Sequence, residues 1–274
     1  MSRFDRAVGL ARSLAIYHAI PLRQFRLRRL YAQLVGSGDL VFDIGAHAGN
    51  RTRAFASLGC RVVALEPQPD FAQLLRVLFG RSSRVEVVEA AVGDAPGRAS
   101  LSISERTPTV TTLAAAWRDA RAREPDFARV RWNRRLEVEA TTLDLLIARF
   151  GVPAFIKIDV EGSESTVLAG LTHAVPALSF EYVPGALDHV QACIARLNAL
   201  GAYRFNWSPG ESYRFAASSW LGEADLLANV SAPEVQRRAG DVYARLETKA
   251  LPRRSKTLPR RSRRKRNMMT EVTV

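Results

Sequence analysis

The sequence predicts an α/β fold in which helices cover both faces of a parallel sheet. From residue 40 onward, short apolar stretches alternate with helix-compatible stretches. The apolar stretches are nearly continuous, as is typical of strands that are buried on both faces of a parallel sheet. The first of them leads into the glycine-containing turn of Leu40–Asn50. Such turns lie at the carboxyl edge of a parallel sheet, where ligands bind.

The elements of this central domain, residues 36–220, follow one another with short connections. Strands are predicted over Val41–Ile44, Arg61–Leu65, Val85–Val88, Leu136–Ala140, Ala154–Ile158, Ala177–Val183, Tyr203–Trp207 and Ser212–Ala217. Helices are predicted over Arg51–Leu58, Phe71–Leu78, Leu143–Phe150, Ser163–Leu171 and Leu187–Leu200. Residues 106–135 interrupt this rhythm, and an interruption of that length is typical of a lid or substrate-binding insertion, or of a mobile surface insertion.

Both ends of the chain differ from the central domain. Residues 1–35 are predicted to be a helical extension divided at Pro21, which either packs on the domain or forms a surface for an anionic membrane or a substrate. Residues 221–250 are predicted to be a C-terminal helical segment centred on Pro233–Glu247. Residues 251–274 are predicted to be a basic disordered tail, because like charges repel and no apolar periodicity is present.

The net charge of +13 is concentrated at the two ends of the 274-residue chain. Residues 1–31 contain seven arginines and one aspartate, and residues 251–274 contain nine lysines or arginines and one glutamate. The segment between them is close to electrical balance. This distribution argues against a nucleic-acid groove that is built into the fold itself.

The cysteines favour a reducing, cytoplasmic compartment. Cys60 and Cys193 lie far apart, without histidine or cysteine neighbours at metal-ligand spacing, so neither a disulfide framework nor a metal site is predicted. The most apolar N-terminal stretch, residues 7–20, is interrupted by Arg12 and His18. Neither a signal peptide nor a membrane span is therefore expected.

The turn after the first strand is the first candidate binding site. Its small residues allow backbone N–H groups to approach a ligand, and the helix that follows favours electron-rich groups. His47 and Asn50 occupy the second and third glycine positions of the dinucleotide fingerprint, so the turn departs from that fingerprint. Both a nucleotide-like ligand and a plain turn fit this stretch.

Acidic residues at the ends of the next strands strengthen the case for a ligand. Glu66 lies about 20 residues beyond the turn, where Rossmann-like sites place the acid that accepts ribose hydroxyls. Glu89 ends the third strand, and Ala90 and Ala91 leave room for a flat base. A later strand delivers Lys157, Asp159 and Glu161 to the edge where Asp43 and Glu66 are expected.

Several ordered motifs resemble those of one enzyme family. They are Phe42–Gly49, Ala64–Pro67, Ala90–Asp94, Thr142–Asp144 and Lys157–Gly162, followed by Gly170 and Phe180-Glu181. Together they cover roughly residues 40–185, and in this order they resemble the FkbM family of S-adenosylmethionine-dependent methyltransferases. The resemblance implies a class I methyltransferase fold with a mostly parallel, seven-stranded Rossmann-like sheet. It also implies methyl transfer from S-adenosylmethionine, typically to a hydroxyl of a sugar, glycolipid or natural product.

The resemblance also implies roles for individual residues. Carried over by position, the turn of Gly45, Ala46, His47, Gly49 and Asn50 faces the methionine part of the cofactor, and Asp43 lies beneath the sulfonium. Glu66 faces the ribose, Pro67 and Gln68 the adenine edge, and Glu89, Ala90 and Ala91 the base. His47 stands where the family more often has asparagine.

A hydroxyl acceptor has to lose a proton, so a general base or a Lewis acid is expected. Asp159, which is also predicted among the cofactor-binding residues, is the first candidate base because it ends a strand beside the predicted cofactor turn. Glu161 is the second candidate, and Lys157 could orient either. The alternative is that these charged groups only pair with one another and fix the loop.

Two other functions compete with this interpretation. The basic tail favours a nucleic-acid (RNA) methyltransferase. However, the chain lacks an Asp/Asn-Pro-Pro-aromatic motif, and no lysine lies between Asp159 and Glu181 to complete the Lys-Asp-Lys-Glu set of ribose methyltransferases. A non-catalytic methyltransferase-like binding protein is the third possibility. The expected partners are a small-molecule or glycan acceptor and, at the basic termini, an anionic membrane or nucleic acid.

Overall fold

The computed structural model describes residues 8, 9, 12, 13 and 22–247, which include ten strands. They are β1 Leu40–Ile44, β2 Arg61–Leu65, β3 Val85–Val88, β4 Ala91–Val92, β5 Gly97–Ile103, β6 Arg134–Thr141, β7 Phe155–Ile158, β8 Ala177–Tyr182, β9 Tyr203–Pro209 and β10 Gly240–Leu246. The α-helices of the continuous part are α1 Arg23–Tyr31, α2 Asn50–Ser57, α3 Pro69–Phe79, α4 Ala115–Arg121, α5 Leu143–Phe150, α6 Glu164–Ala169, α7 Leu187–Leu200 and α8 Glu223–Val230.

Seven of the strands form one sheet in the order β3-β2-β1-β7-β8-β10-β9. Only β10 runs antiparallel to its neighbours β8 and β9. The predicted mostly parallel, seven-stranded sheet is thus confirmed. A second sheet, in the order β4-β6-β5, lies outside it, so the predicted strand around residues 136–140 does not join the main sheet.

Helices cover both faces of the main sheet, as predicted. Along β1, Val41 packs into one apolar cluster with α1 and α2, and Phe42 packs into another with α5, α6 and α7. Successive side chains of a strand point to opposite faces, so both must be apolar when both faces are covered. Each such fully buried side chain contributes about 1.5–3 kcal/mol relative to exposure.

The predicted helical segment over residues 221–250 is only partly correct. Residues 223–230 are helical, but the centre of the prediction, Pro233–Glu247, contains strand β10. Val242 and Ala244 face one core and Tyr243 faces the other, so this strand is buried between β8 and β9. Burial between two strands outweighed the helical propensity of the local sequence. The domain boundary at residue 220 was therefore placed too early, because β10 completes the sheet.

The predicted strand Ser212–Ala217 is also wrong. This segment crosses the outside of β9 without forming a strand, and the side chain of Asn206 holds it by accepting from the backbone N of Ala217 and donating to its carbonyl. The amide of Asn206, together with a backbone hydrogen bond from the N of Ala216 to the carbonyl of Trp207, holds the segment in place of a regular hairpin ladder.

The described part of the N-terminal extension is helical. Helix α1 buries Leu27, Leu30 and Tyr31 against the domain. Pro21 and the predicted tail 251–274 lie outside the described residues. Among the helices that the structure describes, none is long and apolar enough to cross a membrane. Cys60 and Cys193 are both buried and free.

Candidate active site

The turn after β1 is shaped by a close approach of two backbone segments. Gly45 has a φ of 78°, and a Cβ atom there would lie 1.9 Å from the carbonyl oxygen of Asp159. Any larger residue would push β1 and β7 apart at the sheet edge. His47 also has positive φ, 47°, and its ring stacks on Phe71 with 4.1 Å between centroids. Burial lowers the pKa of His47 to about 3, so its imidazole is neutral.

Glu66 at the end of β2 is held by two backbone N–H groups. One carboxylate oxygen accepts from the backbone N of His47 and the other from that of Gln68, each at 2.9 Å. Burial raises the pKa of Glu66 to about 7, although these two hydrogen bonds oppose the shift. Its remaining lone pairs are available to hydroxyl donors in the adjoining cavity.

Two cavities open at this edge of the sheet. The first pocket runs from the β1 turn past Glu66 to the end of β3, and residues of the 106–135 insertion close its far side. It is lined by Ile44, Gly45, His47, Glu66, Pro67, Gln68, Ala90, Ala91, Val92, Leu101, Pro108, Thr109, Thr111, Thr112, Leu113, Asp159, Val160 and Glu161.

The second cavity lies on the other side of the same turn, and we call it the acidic pocket. Five of its lining residues are carboxylates, against one arginine. It is lined by Gly45, Ala46, His47, Ala48, Asn50, Arg51, Asp159, Glu161, Glu181, Gly210, Glu211, Ala239, Gly240 and Asp241. Gly45, His47, Asp159 and Glu161 line both cavities, so the two pockets meet at these residues.

Lys157 fixes Asp159 from below. Its Nζ, which is fully buried, lies 3.2 Å from a carboxylate oxygen of Asp159 and 2.9 Å from one of Asp241. Burial opposes the charge of Lys157, but the two carboxylates outweigh it and raise its pKa above the ordinary value. Burial likewise opposes the charge of Asp241, yet Lys157 and Arg51 keep its pKa low. Lys157, Asp159 and Asp241 therefore form a charged network in which the two carboxylates line the pockets and the lysine lies beneath them.

Three carboxylates meet above this network. Asp159, Glu161 and Glu181 each offer an oxygen atom, and these atoms lie within 4.8 Å of one another. Burial and the neighbouring negative charges raise the pKa values of Glu161 and Glu181 well above the ordinary value. Such a set of oxygen ligands suits a hard divalent cation or an ammonium group. The sequence did not predict a metal site here.

The loop that carries Glu161 is braced on two sides. Glu164 accepts hydrogen bonds from the backbone N of Val160 and of Gly162, both at 3.1 Å, and also contacts His189 at 2.8 Å. From above, the hydroxyl of Thr112 donates to the carbonyl of Glu161 at 2.7 Å. The strained φ of Glu161, 56°, is thus supported by its surroundings.

The insertion packs onto the site through aromatic side chains. Trp117, Phe127 and Trp132 contact one another, with centroids 6.1–6.5 Å apart. Gly162 lies directly beneath Trp117, since a Cβ on Gly162 would meet that ring at 2.3 Å. The segment predicted to be a lid or substrate insertion therefore covers the first pocket in this structure.

The N-terminal extension also reaches the site. The Oγ of Ser13 lies 3.4 Å from the Nε2 of His47. Gly9 lies against the carbonyl of Glu105 and the ring of Pro108, with no room for a Cβ. The described residues of the extension therefore contact both the turn after β1 and the start of the insertion.

Most of the predicted site residues line the two pockets, and four do not. Asp43 is buried beneath the turn, where Thr52 donates to it at 2.6 Å, and burial raises its pKa to about 6. Gly49 packs against Leu75 and Phe79. Glu89 lies outside the first pocket and pairs with Arg76 at 2.7 Å. Lys157, predicted among the catalytic residues, lies below the pockets and contacts the site through Asp159.

Sequence reasoning missed four residues that line the acidic pocket, namely Glu181, Asp241, Arg51 and Glu211. Glu181 belonged to a recognised motif and lies near the end of the predicted strand Ala177–Val183, so its position near the sheet edge was predictable. Asp241 was hidden because its segment was predicted to be helical. No sequence pattern marks Arg51 or Glu211 as a site residue.

The fold is that of the class I S-adenosylmethionine-dependent methyltransferases. The first pocket fits this cofactor, because Gly45 leaves a cradle that a Cβ would fill, Glu66 presents a buried carboxylate, and Ala90 and Ala91 leave a shallow wall. The chain belongs to the methyltransferase FkbM domain family, whose model matches residues 43–189.

Individual relatives are more distant. An ornithine lipid N-methyltransferase from Singulisphaera acidiphila is 41% identical over 58 residues, which are 20% of this chain and 30% of that protein. The solved structure of a precorrin-6y C5,15-methyltransferase from Geobacter metallireducens has a TM-score of 0.40 at 13% identity, covering 82% of this chain and 87% of the other. A TehB-like methyltransferase structure from Corynebacterium glutamicum has a TM-score of 0.42 at 11% identity, covering 86% and 94%.

Proposed function

We propose that this methyltransferase transfers a methyl group to a hydroxyl oxygen of a sugar, glycolipid or natural product bound in the acidic pocket. The observation that supports this is the shared wall: Asp159 and Glu161 line both the first pocket and the acidic pocket. An acceptor bound in the acidic pocket would therefore lie next to a cofactor bound in the first pocket, with these two residues beside both. Alignment of the two reactants is the main task of such an enzyme.

Each part of the site has a separate role in this proposal. S-adenosylmethionine supplies an activated methyl group on a positively charged sulfur. Glu66 would bind the ribose of this cofactor, and Pro67, Gln68, Ala90 and Ala91 would hold its adenine base. Asp159 accepts the proton of the acceptor hydroxyl, and Lys157 holds the Asp159 carboxylate in place from 3.2 Å away. Glu161, whose pKa is raised by burial and by Asp159, is the second candidate base.

Methylation of an amine is the second candidate, and the carboxylate cluster favours it. Asp159, Glu161 and Glu181 repel one another, and an ammonium group of the acceptor would relieve that repulsion. One of the carboxylates would take the ammonium proton before transfer. The partial match to an ornithine lipid N-methyltransferase is consistent with this chemistry, although it spans under a third of that relative.

Product analysis tests both candidates. The purified protein is incubated with methyl-deuterated S-adenosylmethionine and pools of polar metabolites and extracted lipids, and labelled products are fragmented by mass spectrometry. We expect a labelled methyl ether. A labelled methylamine would replace the first candidate with the second. Absence of any labelled product, together with no calorimetric binding of S-adenosylmethionine, would contradict both.

Treatment with a chelator distinguishes two roles of the carboxylate cluster, namely proton acceptor and divalent-cation site. If Asp159 acts as a base, turnover is retained after treatment with EDTA. Loss of turnover that Mg²⁺ or Mn²⁺ restores would assign the cluster to a divalent cation instead.

A further inference from the structure

A basic groove runs along helix α1, outside both pockets. One side is formed by α1 itself and the other by residues 212–220, which cross the outside of β9. Its charged lining residues are Arg26, Arg29, Arg214 and Arg245, and none of the described residues that line it is acidic. In the described part of the chain, no carboxylate lies within ion-pair distance of these four guanidinium groups. They are therefore available to an external anion.

Exposed apolar side chains lie beside these arginines. Leu22 and Phe25, which also line the groove, are 67% and 62% exposed, while the opposite side of α1 is buried in the core. Large exposed apolar side chains are ordinary when they are scattered. Here two of them lie within one helical turn and are surrounded by cations. This combination is typical of helices that lie in a membrane interface.

We propose that this groove docks the protein on an anionic phospholipid membrane. Arg26, Arg29, Arg214 and Arg245 bind headgroup phosphates, and Leu22 and Phe25 enter the boundary between headgroups and acyl chains. Guanidinium groups bind phosphate oxygens in a bidentate manner, and basic clusters next to apolar side chains select anionic lipids. The inference is independent of which acceptor atom is methylated.

The aromatic residues of the groove favour a membrane over a single-stranded nucleic acid. Base stacking requires free ring faces. The Trp220 ring is covered by the guanidinium of Arg245 at 4.6 Å. Phe215 packs against Trp220 and Tyr243, with centroids 5.3 Å and 5.1 Å away. These rings are therefore already engaged in contacts within the protein.

The groove is adjacent to the acidic pocket. Tyr213 lines the groove, and the guanidinium of Arg51, which lines the acidic pocket, lies 5.7 Å from the centre of its ring. Arg23 at the start of α1 pairs with Glu211, another residue of the acidic pocket. One layer of side chains thus separates the proposed membrane surface from the proposed acceptor site.

The basic C-terminal sequence starts close to the same surface. Glu247, the last described residue, lines a neighbouring concavity that shares Gln33, Trp220 and Arg245 with the groove. The nine lysines or arginines of residues 251–274 follow shortly after it in the chain. The last described residue, from which the chain continues into this basic sequence, therefore lies beside the groove.

Vesicle sedimentation with the full chain tests the proposal. Vesicles of phosphatidylcholine alone are compared with vesicles that also contain phosphatidylglycerol. We expect binding only to the anionic vesicles, weakened roughly 25-fold in R26Q/R29Q, since each basic residue near the surface contributes about a factor of five. L22S/F25S should also bind more weakly. The matched control V77S/V152S changes residues that are 71% and 62% exposed elsewhere and should bind as the parent does.

Three results would overturn the proposal. The first is unchanged binding in both groove variants, which would assign adhesion to the basic tail alone. The second is equal binding to neutral vesicles. The third is tight binding to single-stranded RNA, lost in R26Q/R29Q, with no vesicle binding. All substituted side chains are exposed, and thermal unfolding of each variant confirms that the fold is retained.

Discussion

The ammonium of Lys157 lies 3.2 Å from the carboxylate of Asp159, at the point where the two pockets of this methyltransferase meet. Asp159 lines both pockets, whereas Lys157 is fully buried, and its Nζ contacts the carboxylates of Asp159 and Asp241 and the carbonyl oxygen of Ile158. The lysine is therefore a positioning residue. Its contribution to activity should be inseparable from its contribution to stability.

Replacing Lys157 tests this relationship. K157M leaves the buried carboxylate of Asp241 and the partly exposed carboxylate of Asp159 without their shared cation, so we expect the unfolding free energy to fall by about 3 kcal/mol and turnover to drop. Urea denaturation provides the measurement. R149M is the control. The ion pair of Arg149 with Glu86 is exposed, so its loss should lower the unfolding free energy by less than about 1 kcal/mol. Similar losses in the two variants would contradict a structural role for the buried network.

Asp159 itself should be required for chemistry but not for cofactor binding. D159N keeps the shape of the side chain and removes its ability to accept a proton, so we expect turnover to fall by about 100-fold to 10,000-fold. Calorimetry should give a dissociation constant for S-adenosylmethionine close to that of the parent. E161Q, which alters the second candidate base, serves as the comparison. Full turnover in D159N would remove Asp159 as the base.

Glu66 and Glu89 form a matched pair for cofactor binding. Both are glutamates just beyond the ends of neighbouring strands, but only Glu66 lines the first pocket. E66Q replaces an acceptor oxygen with an amide donor, so we expect S-adenosylmethionine to bind roughly 10-fold to 100-fold more weakly. E89Q should leave the affinity unchanged, since Glu89 pairs with Arg76 outside the pocket. An equal loss of affinity in both variants would mean that Glu89 also contacts the cofactor.

His47 should link stability to acid pH. Its pKa is about 3 in the folded protein and 6.5 ordinarily, so the unfolded chain binds the extra proton between these values. Stability is therefore lost as pH falls from 6.5 towards 3, by up to about 1.4 kcal/mol per pH unit from this group. H47N removes the titrating group and also suits the positive φ of this position.

The measurement is urea denaturation of the parent and H47N at pH 7, 6 and 5. The stability of H47N relative to the parent should increase at each step downward. Parallel pH profiles would show that His47 is not held neutral. Calorimetry at pH 7 should show that S-adenosylmethionine binding is preserved in H47N, because the cofactor turn mainly requires the backbone N–H that contacts Glu66.

The sequence by itself determined the parallel strands of the main sheet and one half of the site. Continuous apolar strands such as β1 and β7 can only be buried on both faces, so their positions in the chain and their carboxyl-edge residues followed from the local pattern. Gly45, Glu66, Ala90 and Asp159 were found in this way. Each lies at a strand end, where the sequence position fixes the spatial position.

The tertiary structure decided the other half. Strand β10 carries a helix-compatible sequence and became a strand because β8 and β9 leave a gap that it fills. The placement of β10 between β8 and β9 brings Asp241 to Lys157, from which it is 84 residues away in the sequence. It also completes the wall of the acidic pocket. Charge pairs and strand partners so far apart in the chain depend on packing, and no local pattern encodes them. The residues of the proposed cofactor side could thus be predicted from the sequence, whereas those of the proposed acceptor side depend on long-range contacts.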